Sequence, residues 1–315
     1  KAIRRQRQMC IRDSIVTGIL LPLVRQSLGG WATTVIVLSI LSAAMMIPMC
    51  LFAKERVIER EKARDGGAEE NYTLRDMVEC LRSNKYLLIF FAAPLISSLL
   101  NVGATWGLYI ARYCLGGEEI ASFVSMAVIV PTLIGAAIAV QLCKKYDKFK
   151  IFYFSYMFAL ILGIVRYIAG YENMMVYVIL NALGGFPLGI AAILQYQFTP
   201  DCYEYGQYKT GLKMRGVTFA AQTFFTKLNG AIATAASVFA LTLIGFKEGE
   251  GVIQAAGFAD KLWTFSCLGS IIGGICTLLI LHLYKLNDHD VQLMSKCNNG
   301  EITREEAEAQ MINRY

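Results

Sequence analysis

A single lysine interrupts one of the longest apolar stretches of the sequence. Lys227 lies about ten residues into the run 217–246, where an isolated ammonium group costs about 2.5 to 3.5 kcal/mol in a membrane. Thr223 shares its helical face one turn earlier, and Gln222 lies about 100° away on the turn below. We interpret these residues as a polar stripe facing a watery cavity. The alternative is that Lys227 snorkels to the membrane surface, although about ten residues of helix already span about 15 Å.

A second group of polar residues follows the preceding apolar run. Two carboxylates, Asp201 and Glu204, lie just past the end of that run, and Lys209, Lys213 and Arg215 come after them. Opposite charges at a membrane edge can form an ion-pair network that breaks and re-forms, which would hold one state of a moving protein closed. The other interpretation is that these residues are solvated loop charges.

The remaining apolar runs contain few polar side chains. Asn101 is the best polar candidate in the run 86–111, whereas Arg112 and Arg166 fall at the ends of runs and are interpreted as interfacial. The nine cysteines are scattered without a CxxC pattern, which predicts apolar packing rather than a disulfide framework or a metal site. GGFPLG at 184–189 is typical either of close helix packing or of a functional kink.

Membrane helices must position these side chains. The chain of 315 residues is 56% hydrophobic and only 17% charged, whereas soluble domains carry roughly 25% charged residues. Apolar runs of roughly the 20 residues that cross a bilayer lie at 31–53, 86–111, 119–142, 151–170, 174–198, 217–246 and 262–286, with a short one at 14–24. No segment alternates in polarity as a barrel strand would. The sequence predicts an all-α transmembrane bundle, truncated to about seven full spans and one partial span.

The distribution of basic residues predicts how the bundle is oriented. Lys and Arg are concentrated in 54–85, 143–150, 199–216 and the tail after 284, and the intervening loops hold few. Basic loops stay on the cytoplasmic side of a membrane, so they also account for the net charge of +6 without a nucleic-acid partner. We expect a multi-pass protein of the inner or plasma membrane, embedded in the lipid bilayer, with a cytoplasmic C-terminus.

The chain divides accordingly. Residues 1–13 are interpreted as a doubtful, non-native segment, with a genuine cytoplasmic basic segment as the alternative. The predicted units are 14–53, the last two helices of an N-terminal bundle with the first truncated; 54–85, a cytoplasmic central loop with an amphipathic helix; 86–286, a six-helix C-terminal bundle; and 287–315, a cytoplasmic tail.

Residues 201–227 carry a resemblance to a known family. DCYEYGQYK at 201–209 resembles the D-x-x-D-Y-G-E-x-K signature of the glycoside–pentoside–hexuronide:cation symporters, the melibiose-permease group of the major facilitator superfamily. AQTFFTK at 221–227 is similar to the Q-T-x-x-x-K of that family's eleventh helix, and KKYDKFK at 144–150 is a further match. The resemblance extends over about residues 14–285. Glu204 stands where the family usually has Asp, and Gln207 where it often has Glu.

The resemblance implies a secondary active transporter that carries a sugar or glycoside with Na⁺ or H⁺ by alternating access. Lys227 would lie at the sugar- and cation-facing centre of the cavity, with Gln222 and Thr223 near the sugar. Asp201 and Glu204 would belong to the cytoplasmic gate. The family's main cation-site and sugar-binding carboxylates lie on its first, second and fourth helices, so the main cation site is expected in N-terminal helices that this sequence lacks.

Other expectations concern the sugar site and the alternatives. Position 192 is alanine where melibiose permease has a tryptophan lining the sugar site, so Trp106, Tyr109 or Tyr196 is the candidate aromatic platform. We expect a monomer with no cofactor beyond the coupling ion. A membrane sugar sensor on the same fold is one alternative. A membrane-embedded enzyme is another, although the sequence contains no HExxH and no GxSxG pattern.

Overall fold

The computed structural model describes residues 31–52, 74–117, 119–213, 215–249 and 253–315. The predictions for 1–13, for the partial span at 14–24 and for most of the loop 54–85 lie outside these ranges. Within them every regular element is a helix, as expected for an all-α protein.

The helices are numbered here in chain order. They are α1 (Trp31–Phe52), α2 (Leu74–Ser83), α3 (Lys85–Leu100), α4 (Gly107–Cys114), α5 (Glu119–Leu142), α6 (Lys148–Ala169), α7 (Met174–Leu194), α8 (Phe198–Thr210), α9 (Arg215–Leu243), α10 (Phe258–Leu281), α11 (Asp288–Asn298) and α12 (Arg304–Gln310). Short 3-10 turns, Val102–Thr105 and Gln195–Gln197, join α3 to α4 and α7 to α8.

In the described part of the chain, five helical segments are long and apolar enough to cross a membrane, judged by length and composition. They are Ile120–Leu142, Lys148–Ala169, Met174–Thr210, Arg215–Leu243 and Phe258–Leu281. These segments expose large apolar side chains, among them Phe154, Ile168 and Leu279. Lipid solvates such side chains and water does not, so the exposed faces are suited to a bilayer.

The run 86–111 is not the continuous helix that its composition predicts. α3 ends at Leu100, and the chain passes through the 3-10 turn before α4 begins at Gly107. Gly103 in this turn lies so close to α10 that an added Cβ atom would be 2.6 Å from the Cα of Ser266. The break in the helix therefore lies where the backbone of the 3-10 turn meets the backbone of α10. Such a close approach requires a residue without a Cβ atom.

The segment 199–216 was predicted as a loop, and that prediction is wrong for most of its length. α8 follows α7 after a single 3-10 turn and ends at Thr210, and the capping residue Gly211 has a φ of 76°. Glycine favours this left-handed helix end because it has no Cβ atom. Asp201 and Glu204 therefore lie on a helix that buries Cys202 and Tyr205, and they are not loop residues.

The apolar interior forms two clusters at opposite ends of the bundle. One contains aromatic residues from the start of α3, the start of α6 and α8, including Phe90, Phe152 and Tyr205. The other contains Trp106 and Trp263 near the start of α10. The first cluster lies at the end where the predicted cytoplasmic segments meet, and the buried side of α8 forms part of it.

Glycines allow α7 to pack closely against α5. A Cβ atom on Gly185 would lie 2.7 Å from the carbonyl oxygen of Val128, and one on Gly189 would overlap the carbonyl oxygen of Thr132. Pro187 lies between these glycines, and α7 continues through it as a helix. The arrangement favours the packing interpretation of GGFPLG over a functional kink.

We expect Gly189→Ala to destabilise the bundle by about 1–3 kcal/mol, because the new methyl group must push α5 away. Thermal unfolding of the purified protein in detergent measures the effect. Gly184→Ala is the matched control on the same helix, since a Cβ atom there meets nothing within 4 Å. Equal unfolding midpoints for the two variants would show that α5 and α7 do not depend on this contact.

Candidate functional site

An ion pair joins the start of α6 to α8. The Nζ atom of Lys148 lies 2.7 Å from Oδ2 and 2.9 Å from Oδ1 of Asp201. A second carboxylate, that of Asp288 at the start of α11, lies 3.2 Å from the same nitrogen. The side chains of Lys148 and Asp201 are only 19% and 11% exposed. Their attraction is therefore screened less than that of a surface pair.

Reciprocal backbone contacts hold this cluster together. Asp147 caps the N-terminus of α6 by accepting a hydrogen bond from the Phe149 N–H at 2.9 Å. Its other oxygen accepts from the Asp288 N–H at 2.8 Å, and Asp288 accepts from the Lys148 N–H at 2.9 Å. Each aspartate thus binds the backbone of the other's segment, which fixes Lys148 opposite Asp201.

The second carboxylate of the predicted gate has an amide partner in this structure. Nδ2 of Asn298, at the end of α11, donates to Oε2 of Glu204 at 2.9 Å and to the Glu204 carbonyl oxygen at 3.0 Å. The end of α11 therefore contacts α8 through Glu204, and Asp288 at the start of α11 contacts Lys148 of the ion pair. The tail after residue 286 is consequently a folded part of this end of the bundle.

A buried aspartate anchors the end of that tail. Asp290 accepts hydrogen bonds from the Ile312 and Asn313 N–H groups at 2.9 and 3.1 Å, and from the Tyr315 hydroxyl at 2.8 Å. Burial alone would raise the pKa of Asp290, but the hydrogen bonds outweigh it and lower the pKa below its usual value. The carboxylate is therefore ionised at neutral pH and holds residues 312–315 against α11.

The predicted basic residues of the gate lie at the end of α8, in the connection after it and at the start of α9. Lys209 is exposed, and its Nζ atom lies 3.3 Å from the Tyr205 hydroxyl. Lys213 and Arg215 are exposed on either side of the undescribed residue 214. The cation that the structure places on Asp201 comes instead from Lys148, the first residue of α6.

The polar stripe on α9 is divided between two faces. Gln222 is buried, whereas Thr223 and Lys227 are exposed. Phe225 stacks on Phe91 of α3 with ring centroids 4.6 Å apart, which fixes the packed side of α9. Among the described residues, none forms an ion pair with Lys227. The exposed face of α9 thus presents a hydroxyl and a cation that has no ion-pair partner in the described ranges.

The other candidates for the substrate cavity lie apart from this stripe. Trp106 is fully buried, and its indole N–H donates to Ser237 Oγ at 2.8 Å. Tyr109 is half-buried with its ring edge against Phe246, and Tyr196 is exposed in the 3-10 turn before α8. None of the three is brought beside Lys227 by an aromatic or hydrogen-bond contact within the described chain.

Asn101 occupies the break between α3 and the 3-10 turn. Its Oδ1 atom accepts a hydrogen bond from Ser270 Oγ of α10 at 2.7 Å. Asn101 therefore contacts α10, whereas Lys227 lies on α9. The sequence suggested one cavity for Asn101 and Lys227, and the packing gives them different surroundings.

Comparison with known proteins agrees with this helical arrangement. The profile of the family described as "MFS/sugar transport protein" matches residues 9–288. The chain belongs to this transporter family. The matched range includes the Lys148–Asp201 ion pair and the whole of α9. Both the ion pair and the polar stripe on α9 therefore lie within the part that the MFS/sugar transport proteins share.

Individual relatives of this MFS/sugar transport chain are distant. An uncharacterized symporter, YjmB, of Bacillus subtilis (strain 168) is 24% identical over 237 residues, which are 75% of this chain and 50% of that protein. A putative glycoside/cation symporter, YagG, of Escherichia coli (strain K12) is 22% identical over 89% of this chain and 61% of its own length. A putative sulfoquinovose importer of the same strain is 22% identical over 75% of this chain and 51% of its own length. The chain spans about half the length of the first relatives that it matches.

Sequence reasoning missed Lys148, Asp288 and Asn298 as members of the polar cluster. Lys148 lies inside KKYDKFK, one of the segments that resemble the family, but nothing in its own sequence marks it as the partner of Asp201. Asp288 and Asn298 lie in the segment that was expected to be a cytoplasmic tail, for which no contacts with the bundle were predicted. Only the hydrophobic positions Val291 and Met294, which are buried on one face of α11, could have indicated that the tail is docked.

Proposed function

We propose that the protein is a secondary active transporter that moves a sugar or glycoside together with Na⁺ or H⁺ by alternating access. The observation that carries this proposal is Lys227, an exposed cation on a membrane-length helix of a sugar-transport family, for which the described residues supply no ion-pair partner. Removing a charge from water is unfavourable unless the charge meets a partner, so such lysines mark pathways for substrates and ions. Thr223 on the same face supplies a hydroxyl for a sugar.

The Lys148–Asp201 pair is proposed to form part of the cytoplasmic gate. Asp201 and Glu204 would bind basic residues when the cavity opens outward and release them when it opens inward. The low exposure of the pair supports this role, because a poorly screened ion pair contributes more to the closed state than a surface pair does. Lys209, Lys213 and Arg215 lie on the same end of the bundle and would supply the alternative partners.

The coupling ion is proposed to be the protein's only cofactor. Among the described residues there is no group of three or more His, Cys, Asp or Glu side chains that could hold a metal ion. The main cation site is proposed to involve carboxylates outside the described residues, as in the family that residues 201–227 resemble. The protein is proposed to work as a monomer.

Transport by the complete protein tests the proposal. We expect vesicles that contain the protein, with any upstream sequence of its gene, to accumulate a labelled glycoside when a Na⁺ or H⁺ gradient is imposed. Collapse of both gradients with ionophores should end the accumulation, and empty vesicles are the control. Saturable glycoside binding without uptake would instead favour a sugar sensor on the same fold.

The proposed orientation has its own test. Cysteines introduced at Lys145, between α5 and α6, and at Glu248, between α9 and α10, should lie on opposite sides of the membrane. We expect a membrane-impermeant maleimide applied outside intact cells to label the Glu248→Cys variant and to leave Lys145→Cys unlabelled until the cells are broken. A cysteine-free background removes labelling of native thiols. The reverse pattern would contradict a cytoplasmic C-terminus.

A further inference from the structure

A cavity of about 420 Å³, partly open to its surroundings, lies between α3, α6, α7 and α10 of the C-terminal bundle. Its wall is mainly apolar but includes several polar side chains. The uncharged polar residues that line it are Ser97, Asn101, Ser155, Tyr156, Asn181 and Ser270. Lys227 and Asp201 do not line it, so the cavity is separate from both features discussed above.

Arg166 gives this cavity a positive charge. It lies on α6, close to the helix end at Ala169 and far along the helix from Lys148. Its Nη1 atom is 3.4 Å from Asn181 Oδ1, a long hydrogen bond, and its side chain also interacts with the thiol of Cys267. Its Nε atom is buried and has no hydrogen-bond partner.

The guanidinium has no counterion among the described residues. No described carboxylate forms an ion pair with Arg166, and no Asp or Glu lines the cavity. Arginine does not lose its proton in proteins, so the charge cannot be avoided by titration. A buried and unpaired donor is unfavourable, and the usual remedy is a partner that accepts its hydrogen bonds.

The chemistry of the wall indicates what that partner is. A guanidinium binds the oxygens of a carboxylate, sulfonate or phosphate through two parallel N–H groups. Asn101 already accepts a hydrogen bond from Ser270 through Oδ1, so its remaining side-chain group is the Nδ2 donor. The Tyr156 hydroxyl lines the same cavity. The wall therefore offers further donors beside a fixed positive charge.

We propose that this cavity is an oxyanion-binding site in which the Arg166 guanidinium holds a phosphate-type group. The group is either a free anion or the phosphate of a lipid headgroup, since the two present the same oxygens to the arginine. The site does not depend on the proposed transport activity. A loss of transport would leave it unaffected, and its presence would not establish transport.

Binding of inorganic phosphate to the purified chain tests the free-anion form. The chain is placed in phosphatidylcholine nanodiscs, and bound radiolabelled phosphate is measured against chloride at equal ionic strength. We expect Arg166→Gln to bind phosphate about ten- to hundredfold more weakly, as for the loss of a charged hydrogen bond. Arg112→Gln, at the end of α4, is the matched control and should bind as the unaltered chain does.

Nanodiscs that contain phosphatidylglycerol test the lipid form. Retention of this lipid through delipidation, measured by native mass spectrometry, should be lost in Arg166→Gln and kept in Arg112→Gln. Arg166→Lys keeps the charge without the two-pronged geometry, and it provides an intermediate affinity if the glutamine variant does not fold. Either arm that responds to Arg166 supports the site and identifies the source of the phosphate. Equal phosphate and lipid binding by the Arg166 and Arg112 variants would overturn the proposal.

Discussion

Replacement of Lys227 by alanine is expected to reduce gradient-driven sugar accumulation by about 30- to 100-fold. A charged hydrogen bond to substrate or to a coupling-site carboxylate contributes about 2–3 kcal/mol. Since each 1.4 kcal/mol corresponds to about a tenfold change, loss of this bond lowers uptake by the stated factor. The variant should still insert into the membrane, because removal of a charge makes insertion of α9 easier. Initial uptake of a labelled glycoside and the amount of protein in the membrane are measured on the same cells.

Two variants separate function from placement. Lys247→Ala removes another exposed lysine, beyond the end of α9, and should transport normally. Lys227→Arg keeps the charge and should retain part of the activity. If Lys227→Ala accumulates sugar as well as the unaltered protein does, Lys227 only snorkels to the membrane surface, and the polar stripe on α9 loses its proposed role.

Breaking the Lys148–Asp201 pair is expected to destabilise the bundle unequally, depending on which partner is removed. Lys148→Met leaves the carboxylates of Asp201 and Asp288 without their shared cation, so we expect a loss of about 3 kcal/mol or more. Asp201→Asn leaves Lys148 with Asp288 at 3.2 Å, so a smaller loss of about 1–2 kcal/mol is expected. The double variant should lose less than the sum of the two, because the pair is coupled.

Thermal unfolding of the single and double variants in one detergent measures this cycle. Arg304 and Glu308 on α12 form the matched control, since they are 61% and 58% exposed. Their coupling should not exceed about 0.5 kcal/mol, as for exposed pairs one helical turn apart. Additive losses for Lys148→Met and Asp201→Asn would show that the short distance between them contributes no coupling, and the gate proposal would lose its structural support.

The prediction of membrane helices succeeded where hydropathy is continuous and failed where the backbone is interrupted. The runs 119–142, 151–170 and 217–246 each match a helix closely, as α5, α6 and α9. The run 86–111 is equally apolar, yet it is divided by a 3-10 turn. The mean hydropathy of the run does not indicate this break. The break depends on the close approach of Gly103 to α10, a helix that lies far away in the sequence.

The site residues show the same division. Lys227 could be selected from the sequence because one charge in an apolar run is a local anomaly. The surroundings of Trp106 could not, because a tryptophan in an apolar run is equally suited to a sugar platform and to a core. The packing gives the surroundings of Trp106 here, since its ring is buried and its N–H is bound to Ser237. The cavity lined by Asn101 and Arg166 combines residues from several helices, so no single segment indicates it.

The sequence by itself determined that the chain forms apolar helices, that α9 carries a charged residue within a membrane-length segment, and that residues 201–227 resemble a transporter signature. These properties are local, since hydropathy and helical period act over one or two turns. Only the tertiary structure decided which charges meet. Lys148 and Asp201 are separated by 53 positions, and Glu204 and Asn298 by 94. Such contacts depend on how helices pack, and the burial that makes them strong exists only once the bundle has excluded water.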